Sequence, residues 1–172
     1  AQDVRGISLE VRGGFNAPFG NFEDQGAEAE VGFGGDVFVN LTPAVSVYGG
    51  WGRSQFDCIA CGNTDDLHSS GPEAGVKLIA PRRWGILPWA RVGTTYHKLA
   101  GTIGTGEFDS DRKLGLQASL GADIPLGEVL SFSPAVRVHN WNAQFDGPID
   151  AFSLNQNVRY VSLDLGAHFH LR

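Results

Sequence analysis

The chain has 172 residues and a formal net charge of −6, and 24 of its residues are glycine. Its length suits a single domain over residues 1–172, and its acidic balance argues against a nucleic-acid partner. No apolar run in it approaches the roughly 20 residues that a membrane-spanning helix requires. The chain opens at Ala1 like an exported protein whose signal peptide has been removed, and no motif indicates a cofactor.

Eight segments alternate apolar and polar residues with a period of two, the pattern of a strand with one apolar and one polar face. In chain order they cover residues 4–15, 27–41, 44–56, 73–80, 90–97, 113–124, 132–139 and 157–171. Glycines that recur within these segments suit a strongly curved sheet. The pattern therefore predicts an all-β chain of eight strands.

The connections between the predicted strands alternate in length. Long connections cover residues 16–26, 57–70, 100–110 and 142–156, and short ones cover residues 40–43, 81–85 and 125–128. Long external loops and short periplasmic turns are typical of outer-membrane barrels, and strands of about ten residues match a tilted crossing of the hydrocarbon layer. An even number of strands returns both chain ends to the same side of the membrane.

The last strand carries a second signal. Asp164, Gly166, Phe169 and Leu171 place polar, glycine, aromatic and aliphatic residues at fixed spacing. This arrangement resembles the C-terminal signal that the assembly machinery of bacterial outer-membrane barrels reads. That signal usually ends on the last residue, often Phe, whereas Arg172 trails here by one position. We predict that these four residues form an assembly signal.

Nearly the whole chain resembles the small eight-stranded outer-membrane β-barrels of the OmpA/OmpX type, without the periplasmic domain of some members. The resemblance implies an eight-stranded antiparallel up-and-down transmembrane β-barrel whose interior is filled by side chains. It also implies a bacterial outer-membrane location and a non-catalytic structural role, with surface contacts made through the long loops. The partners it implies are outer-membrane lipid, lipopolysaccharide, the barrel-assembly machinery and a surface protein.

A soluble lipocalin-like barrel that binds a ligand is the main competing fold, since alternation alone does not say which face points inward. The charges on the polar face favour the membrane barrel, in which buried acids must pair with buried bases. The predicted interior network consists of Glu10, Arg12, Glu28, Glu30, Asp36, Lys77, Arg91, Asp123, Arg137 and Asp164.

A lipid A-modifying enzyme is a second alternative, because some outer-membrane barrels of this size are deacylases or palmitoyltransferases. Such a deacylase uses a membrane-facing histidine with a serine two residues further on. Neither His139 nor His168 has that serine, and the serines beside His68 fall in a predicted loop. We therefore expect no catalytic residues. His168 and His170 lie on the same polar face. They could form a pair of metal ligands or simply fill the interior, and the second interpretation is preferred.

The two cysteines form one Cys58-Ile-Ala-Cys61 motif in the second long loop. Redox chemistry of the thioredoxin kind would need a strand-to-helix context, and a zinc site would need further ligands, for which Asp57, Asp65, Asp66 and His68 lie nearby. The preferred interpretation is a disulfide that staples the loop in an oxidising compartment.

The aromatic residues predict two interfacial girdles of the kind found at both membrane surfaces. Trp84 and Trp89 lie at a short-turn end of their strands. The others, near the long loops, are Trp51, Tyr96, Trp141 and Tyr160.

Overall fold

The computed structural model describes residues 6–19, 27–28, 30–58, 66–103, 106–144 and 155–171. These residues form ten β-strands. They are β1 (Ile7–Pro18), β2 (Ala27–Glu28), β3 (Glu30–Thr42), β4 (Val45–Cys58), β5 (Asp66–Ile79), β6 (Leu87–Ile103), β7 (Gly106–Asp109), β8 (Lys113–Pro125), β9 (Leu130–Gln144) and β10 (Asn155–Leu171). Within the described ranges, no helix is long and apolar enough to cross a membrane.

Eight long strands close into an antiparallel barrel. Around the wall their order is β4, β3, β1, β10, β9, β8, β6 and β5, and β5 pairs again with β4. The seam between the first and last strands runs from Ile7 opposite Leu171 to Pro18 opposite Tyr160. The two short strands, β2 and β7, pair with the ends of β4 and β6. The predicted eight-stranded up-and-down barrel is confirmed.

The structure decides which face of the wall points inward. Apolar side chains cover the outside, with Leu116 at 65% exposure and Phe15 at 67%. The alternate positions carry buried polar side chains, such as Gln117 and Asn16. Apolar area of this extent on the outside is stable in contact with lipid, whereas a soluble barrel would expose its polar face. The lipocalin-like alternative is therefore wrong.

One end of the barrel, here called the turn end, carries the short connections after β3, β5 and β8. After β5, Arg83 and Ile86 exchange two backbone hydrogen bonds of 2.9 and 3.0 Å around Trp84 and Gly85. Both central residues have positive φ, 48° and 84°. Positive φ at both positions is the geometry of a tight hairpin turn whose twist matches the flanking strands, and it is costly for a side chain as large as tryptophan.

The opposite end, here called the loop end, departs from the sequence prediction. Strand β4 continues to Cys58 and β5 begins at Asp66, so much of the predicted loop at 57–70 is paired strand. Strands β6 and β7 likewise occupy most of the predicted loop at 100–110, and β9 reaches Gln144. Beyond the lipid the outer face of a strand no longer needs apolar residues, so the alternation fades while the hydrogen bonds continue.

Candidate functional site

A chain of charged side chains with alternating sign crosses the barrel interior. Its members, in order of contact, are Glu10, Arg91, Asp36, Arg12, Glu73, Arg137 and Asp164. Each arginine in it bridges two carboxylates. Buried charges are tolerable only when paired in this way, because transfer out of water costs several kcal/mol per ion.

Glu73 is the centre of that chain. Its Oε1 accepts a 2.6 Å hydrogen bond from Arg12, whose other terminal nitrogen donates to Asp36. Its Oε2 accepts from Gln117 at 2.8 Å and from Arg137 at 3.1 Å. The carboxylate is therefore held on both oxygens by cations from β1 and β9.

Eight of the ten residues of the predicted interior network are buried inside the barrel, where each has an oppositely charged neighbour. The side chains of Glu28 and Glu30 lie outside the described part of the structure. Glu73 was absent from the predicted network although it shares its face of β5 with Lys77. Because residues four positions apart on a strand lie on the same face, the position of Lys77 could have identified Glu73 as a member of the network.

A second polar cluster lies nearer the turn end. Lys77 Nζ donates to Asp123 Oδ2 at 2.6 Å, and Oδ1 of the same carboxylate accepts from Trp89 Nε1 at 2.8 Å and Ser133 at 2.7 Å. The Lys77 ammonium lies 4.8 Å from the Trp89 ring centroid. His168 Nδ1 lies 3.6 Å from Asp123, which links the histidine to this cluster.

Three residues of the predicted girdles point inward. Trp89, Trp141 and Tyr160 are at most 4% exposed, whereas Trp84 is 95% exposed. Trp51 also lies on the outer face, with about half of its surface exposed. The prediction grouped the aromatic residues by their height along the barrel. Whether a strand residue points inward or outward depends instead on its alternate position along the strand, and Trp89 lies two residues before the inward Arg91. The girdle assignment is therefore wrong for these three.

The loop end of the interior is closed by an apolar cluster. It consists of Phe56, Leu99, Trp141, Val158 and Tyr160, which occupy inward positions of β4, β6, β9 and β10. The rings of Phe56 and Tyr160 meet edge to face at a centroid distance of 5.1 Å. This apolar cap lies on the loop-end side of the charged chain.

A small polar cavity lies beneath the apolar cap, in contact with the charged chain. The space open to the centres of water molecules is about 20 Å³, enough for one water. Ser69 Oγ lies 3.1 Å from His97 Nδ1. His97 and His139 border this space, and His97 Nε2 and His139 Nδ1 have no hydrogen-bond partner among the described residues. The side chains of this serine–histidine pair are both buried.

The described residues contain no group of three or more His, Cys, Asp and Glu side chains arranged to hold a metal ion. His168 Nε2 lies 2.8 Å from Ser8, and His170 Nε2 lies 3.2 Å from Ser131. Both histidines near the turn end thus bond to serines of neighbouring strands, which suits side chains that fill the interior.

Glycines on the inner face make room for the long polar side chains. A Cβ atom at Gly34 would lie 2.7 Å from an Arg12 terminal nitrogen and 2.8 Å from the Trp51 carbonyl oxygen. A Cβ at Gly75 would lie 2.8 Å from the Tyr48 hydroxyl. Part of the high glycine content therefore serves close packing inside a narrow barrel.

The four residues of the predicted assembly signal divide between the two faces of β10. Phe169 and Leu171 point outward, and Phe169 lies opposite Leu9 on β1 and Leu130 on β9. Asp164 and Gly166 point inward. Their arrangement is that of the strand that closes the barrel, and their role as a signal stays a prediction.

The cysteine motif lies at the loop end. Cys58 is the last residue of β4, opposite Ala27 of β2. Its side chain and the whole of Cys61 lie outside the described residues, so the disulfide stays a prediction.

The serines beside His68 lie in a strand, not in the loop that the sequence predicts. His68 and Ser70 occupy outward positions of β5, and Ser69 between them points inward. A histidine followed two residues later by a serine on the same outer face was therefore missed. Ser70 is flanked in the wall by Arg53 of β4 and Lys98 of β6.

An apolar exterior, an ion-paired interior and a closed eight-stranded wall define a β-barrel of the bacterial outer-membrane type. Among solved structures, the chain is similar to Neisserial surface protein A, with a TM-score of 0.70 and 11% identity over 95% of this chain and 96% of that one. The outer membrane protein OprG from Pseudomonas aeruginosa gives a TM-score of 0.60 and 14% identity over 98% and 97%. The attachment invasion locus protein Ail of Yersinia pestis gives 0.55 and 12% over 97% of each chain.

No protein-family model matches the sequence, and no curated protein is similar to it at a significant level. At identities this low the structural likeness establishes the fold alone.

Proposed function

We propose that this chain is a non-catalytic outer-membrane protein that works through its outer surface and its loop end. Two observations together carry the proposal: charged side chains fill the interior, and strands continue beyond the last large apolar residues of the outer face. On β4 the last large apolar residue of the outer face is Trp51, yet the strand continues to Cys58. Those seven residues span roughly 23 Å at about 3.3 Å per residue.

The filled interior argues against transport. A channel would need a continuous polar path, but the charged chain occupies the middle of the barrel and the apolar cap lies over it. The surfaces that remain for interaction are the outer face of the barrel and the paired strand ends at the loop end, here called the projecting hairpins. We infer that the barrel is a rigid support for contacts at the cell surface, with outer-membrane lipid and lipopolysaccharide around it.

Folding the chain into detergent micelles and then into lipid vesicles tests this function. We expect a heat-modifiable folded band on gels and no increase in permeability of the vesicles to small solutes. A chain that stays soluble without detergent would contradict the membrane location. Stepwise conductance across a planar bilayer would contradict the sealed interior.

Lipid A modification is a second candidate function, supported by the shared outer face of His68 and Ser70. A serine nucleophile with a histidine base can hydrolyse an acyl ester, transferring the acyl group to the serine and then to water. Incubation with lipopolysaccharide, followed by mass spectrometry of lipid A, tests it. Loss of an acyl chain that is abolished by Ser70→Ala and retained by Ser69→Ala would favour catalysis. Unchanged lipid A with the wild-type chain would remove this candidate.

A further inference from the structure

We propose that the side chains of Lys77 and Asp123 join in the folded barrel to form an amide, an intramolecular isopeptide bond, with release of one water molecule. Lys77 lies on β5 and Asp123 on β8, and β6 stands between these two strands in the wall. The bond therefore adds a covalent link across the interior between strands that are not neighbours. It goes beyond the proposed function, which requires no covalent link.

The two reacting groups are in contact and are shielded from water. Lys77 Nζ donates to Asp123 Oδ2 at 2.6 Å, so the carboxyl carbon is the next atom beyond that contact. Only 1% of Lys77 and 3% of Asp123 is exposed. The ammonium lies 4.8 Å from the ring centroid of Trp89 and 5.3 Å from that of Phe38. An amine fixed beside a carboxyl group reacts as if at very high concentration, which favours condensation over hydrolysis.

The two oxygen atoms of Asp123 have different surroundings. Oδ1 accepts hydrogen bonds from Trp89 Nε1 at 2.8 Å and from Ser133 Oγ at 2.7 Å. Two donors on one oxygen stabilise the negative charge that collects there when an amine adds to the carboxyl carbon. Oδ2 instead lies beside Lys77 and His168. Oδ1 is thus placed to remain as the amide oxygen, and Oδ2 is placed to leave.

His168 is placed to move protons between the reacting atoms. Its Nδ1 lies 3.5 Å from Lys77 Nζ and 3.6 Å from Asp123 Oδ2. Its Nε2 lies 2.8 Å from Ser8 Oγ. When Nε2 carries the hydrogen and donates it to that hydroxyl, Nδ1 is an acceptor beside the amine. An imidazole that reaches both the attacking and the leaving atom serves first as a base and then as an acid.

Atoms and charges balance in this reaction without an added reagent. The ammonium passes one proton to Oδ2 across their hydrogen bond, and dry surroundings favour the neutral amine and acid that result. Nζ then forms a bond to the carboxyl carbon, and the electron pair of the C=O bond moves to Oδ1. His168 Nδ1 takes a second proton from Nζ and delivers it to Oδ2. The bond to Oδ2 breaks, water leaves, and the C=O bond to Oδ1 forms again.

The arginine pairs of the interior lack this chemistry. Arg12, Arg91 and Arg137 keep their protons, and a delocalised guanidinium is a poor nucleophile. An ordinary ion pair between Lys77 and Asp123 uses the same contact as the reactants of the proposed bond, so the two states differ by the mass of one water. The structure holds the state before reaction. A freshly refolded barrel therefore carries the ion pair, and the amide accumulates afterwards.

The experiment follows the intact mass of the full chain after folding. Wild type, Lys77→Arg and the matched control Lys113→Arg are refolded into lipid vesicles, and folding is checked by heat-modifiable gel migration. Samples taken over several days are reduced, fully denatured and measured by mass spectrometry. Lys77→Arg keeps the positive charge and removes the nucleophilic amine. Lys113→Arg makes the same change at a lysine outside this cluster.

We expect wild type and Lys113→Arg to lose the mass of one water molecule, and Lys77→Arg to keep the full mass of its sequence. Digestion of wild type should also yield a branched peptide that joins Lys77 to Asp123. Full sequence mass of wild type after the last interval would overturn the proposal. A water loss that persists in Lys77→Arg would overturn it too, because the dehydration would then lie elsewhere. If Lys77→Arg does not fold, the presence or absence of the branched peptide in wild type decides.

His168→Gln tests the proton transfer separately. A general acid–base group typically contributes about a hundredfold or more, so we expect the water loss to slow at least about tenfold while the chain folds as wild type does. The same rate of water loss in both chains would overturn the role given to His168.

Discussion

Replacement of Glu73 by glutamine tests whether the interior charge chain holds the barrel together. The change keeps the size of the side chain and removes one negative charge between Arg12 and Arg137. Arg12 would keep Asp36 and Arg137 would keep Asp164, but each arginine would lose the carboxylate that it shares at the centre of the chain.

The magnitude follows from the geometry. Two unit charges about 4 Å apart interact by about 4 kcal/mol at the effective dielectric constant of about 20 that suits such pairs. Two such attractions are lost, and the smaller desolvation of glutamine offsets part of that loss. Removal of one partner of a buried ion pair costs about 3–5 kcal/mol in measured cases, and we expect a loss in that range for Glu73→Gln.

The assay is chemical denaturation of the folded barrel in vesicles, followed by tryptophan fluorescence and extrapolated to zero denaturant. The control is Asp111→Asn, an exposed acid beside β8, which should change the free energy of unfolding by at most about 0.5 kcal/mol. The double variant Glu73→Gln with Arg12→Gln should lose less than the sum of the two single changes, because each single change leaves a charge unpaired. A loss below about 1 kcal/mol for Glu73→Gln would refute the reasoning.

Three further outcomes are expected. Trp89→Phe removes a hydrogen bond to the charged Asp123, so the free energy of unfolding in vesicles should fall by about 1.5–3 kcal/mol, and an unchanged value would mean that water replaces the indole N–H. Phe169→Ala should reduce surface levels in cells while costing the refolded barrel at most a few kcal/mol, since the ring is 41% exposed, and normal surface levels would argue against the assembly signal. If Cys58 and Cys61 form the predicted disulfide, thiol alkylation detected by mass spectrometry should occur only after reduction, and alkylation of the untreated chain would exclude the bond.

The wall of the barrel was predictable from sequence because lipid imposes a strict period of two. The outward Leu116 and the inward Gln117 follow that pattern, as do their neighbours along β8. The projecting hairpins were not predictable in the same way. The outer face of β5 at His68 and Ser70 contacts no hydrocarbon in the proposed placement, so the local sequence lacks the apolar alternation that identifies a membrane strand.

The pairing inside the barrel was beyond the sequence for a different reason. Glu10 and Arg91 are 81 positions apart, and Arg12 and Glu73 are 61 apart. Which side chains meet across a barrel depends on its diameter and stagger, which local patterns do not encode.

Phe38 adds a further complication, because its inward ring packs against the Arg91 guanidinium at 4.7 Å. An aromatic residue at an inward position is thus compatible with a charged interior when it stacks on a cation.

The route of the charge chain has a consequence for how the barrel comes apart. Backbone hydrogen bonds in the wall join each strand only to its two neighbours, whereas Glu10 on β1 and Arg91 on β6 lie on diametrically opposite strands. Arg12 and Arg137 add two more ion pairs between non-adjacent strands, and both end at Glu73 on β5. A wall linked across its interior in this way resists separation of a single strand at the seam between β1 and β10. Amide protons of β1, β5, β6 and β9 should therefore exchange with solvent together, at the rate of global opening.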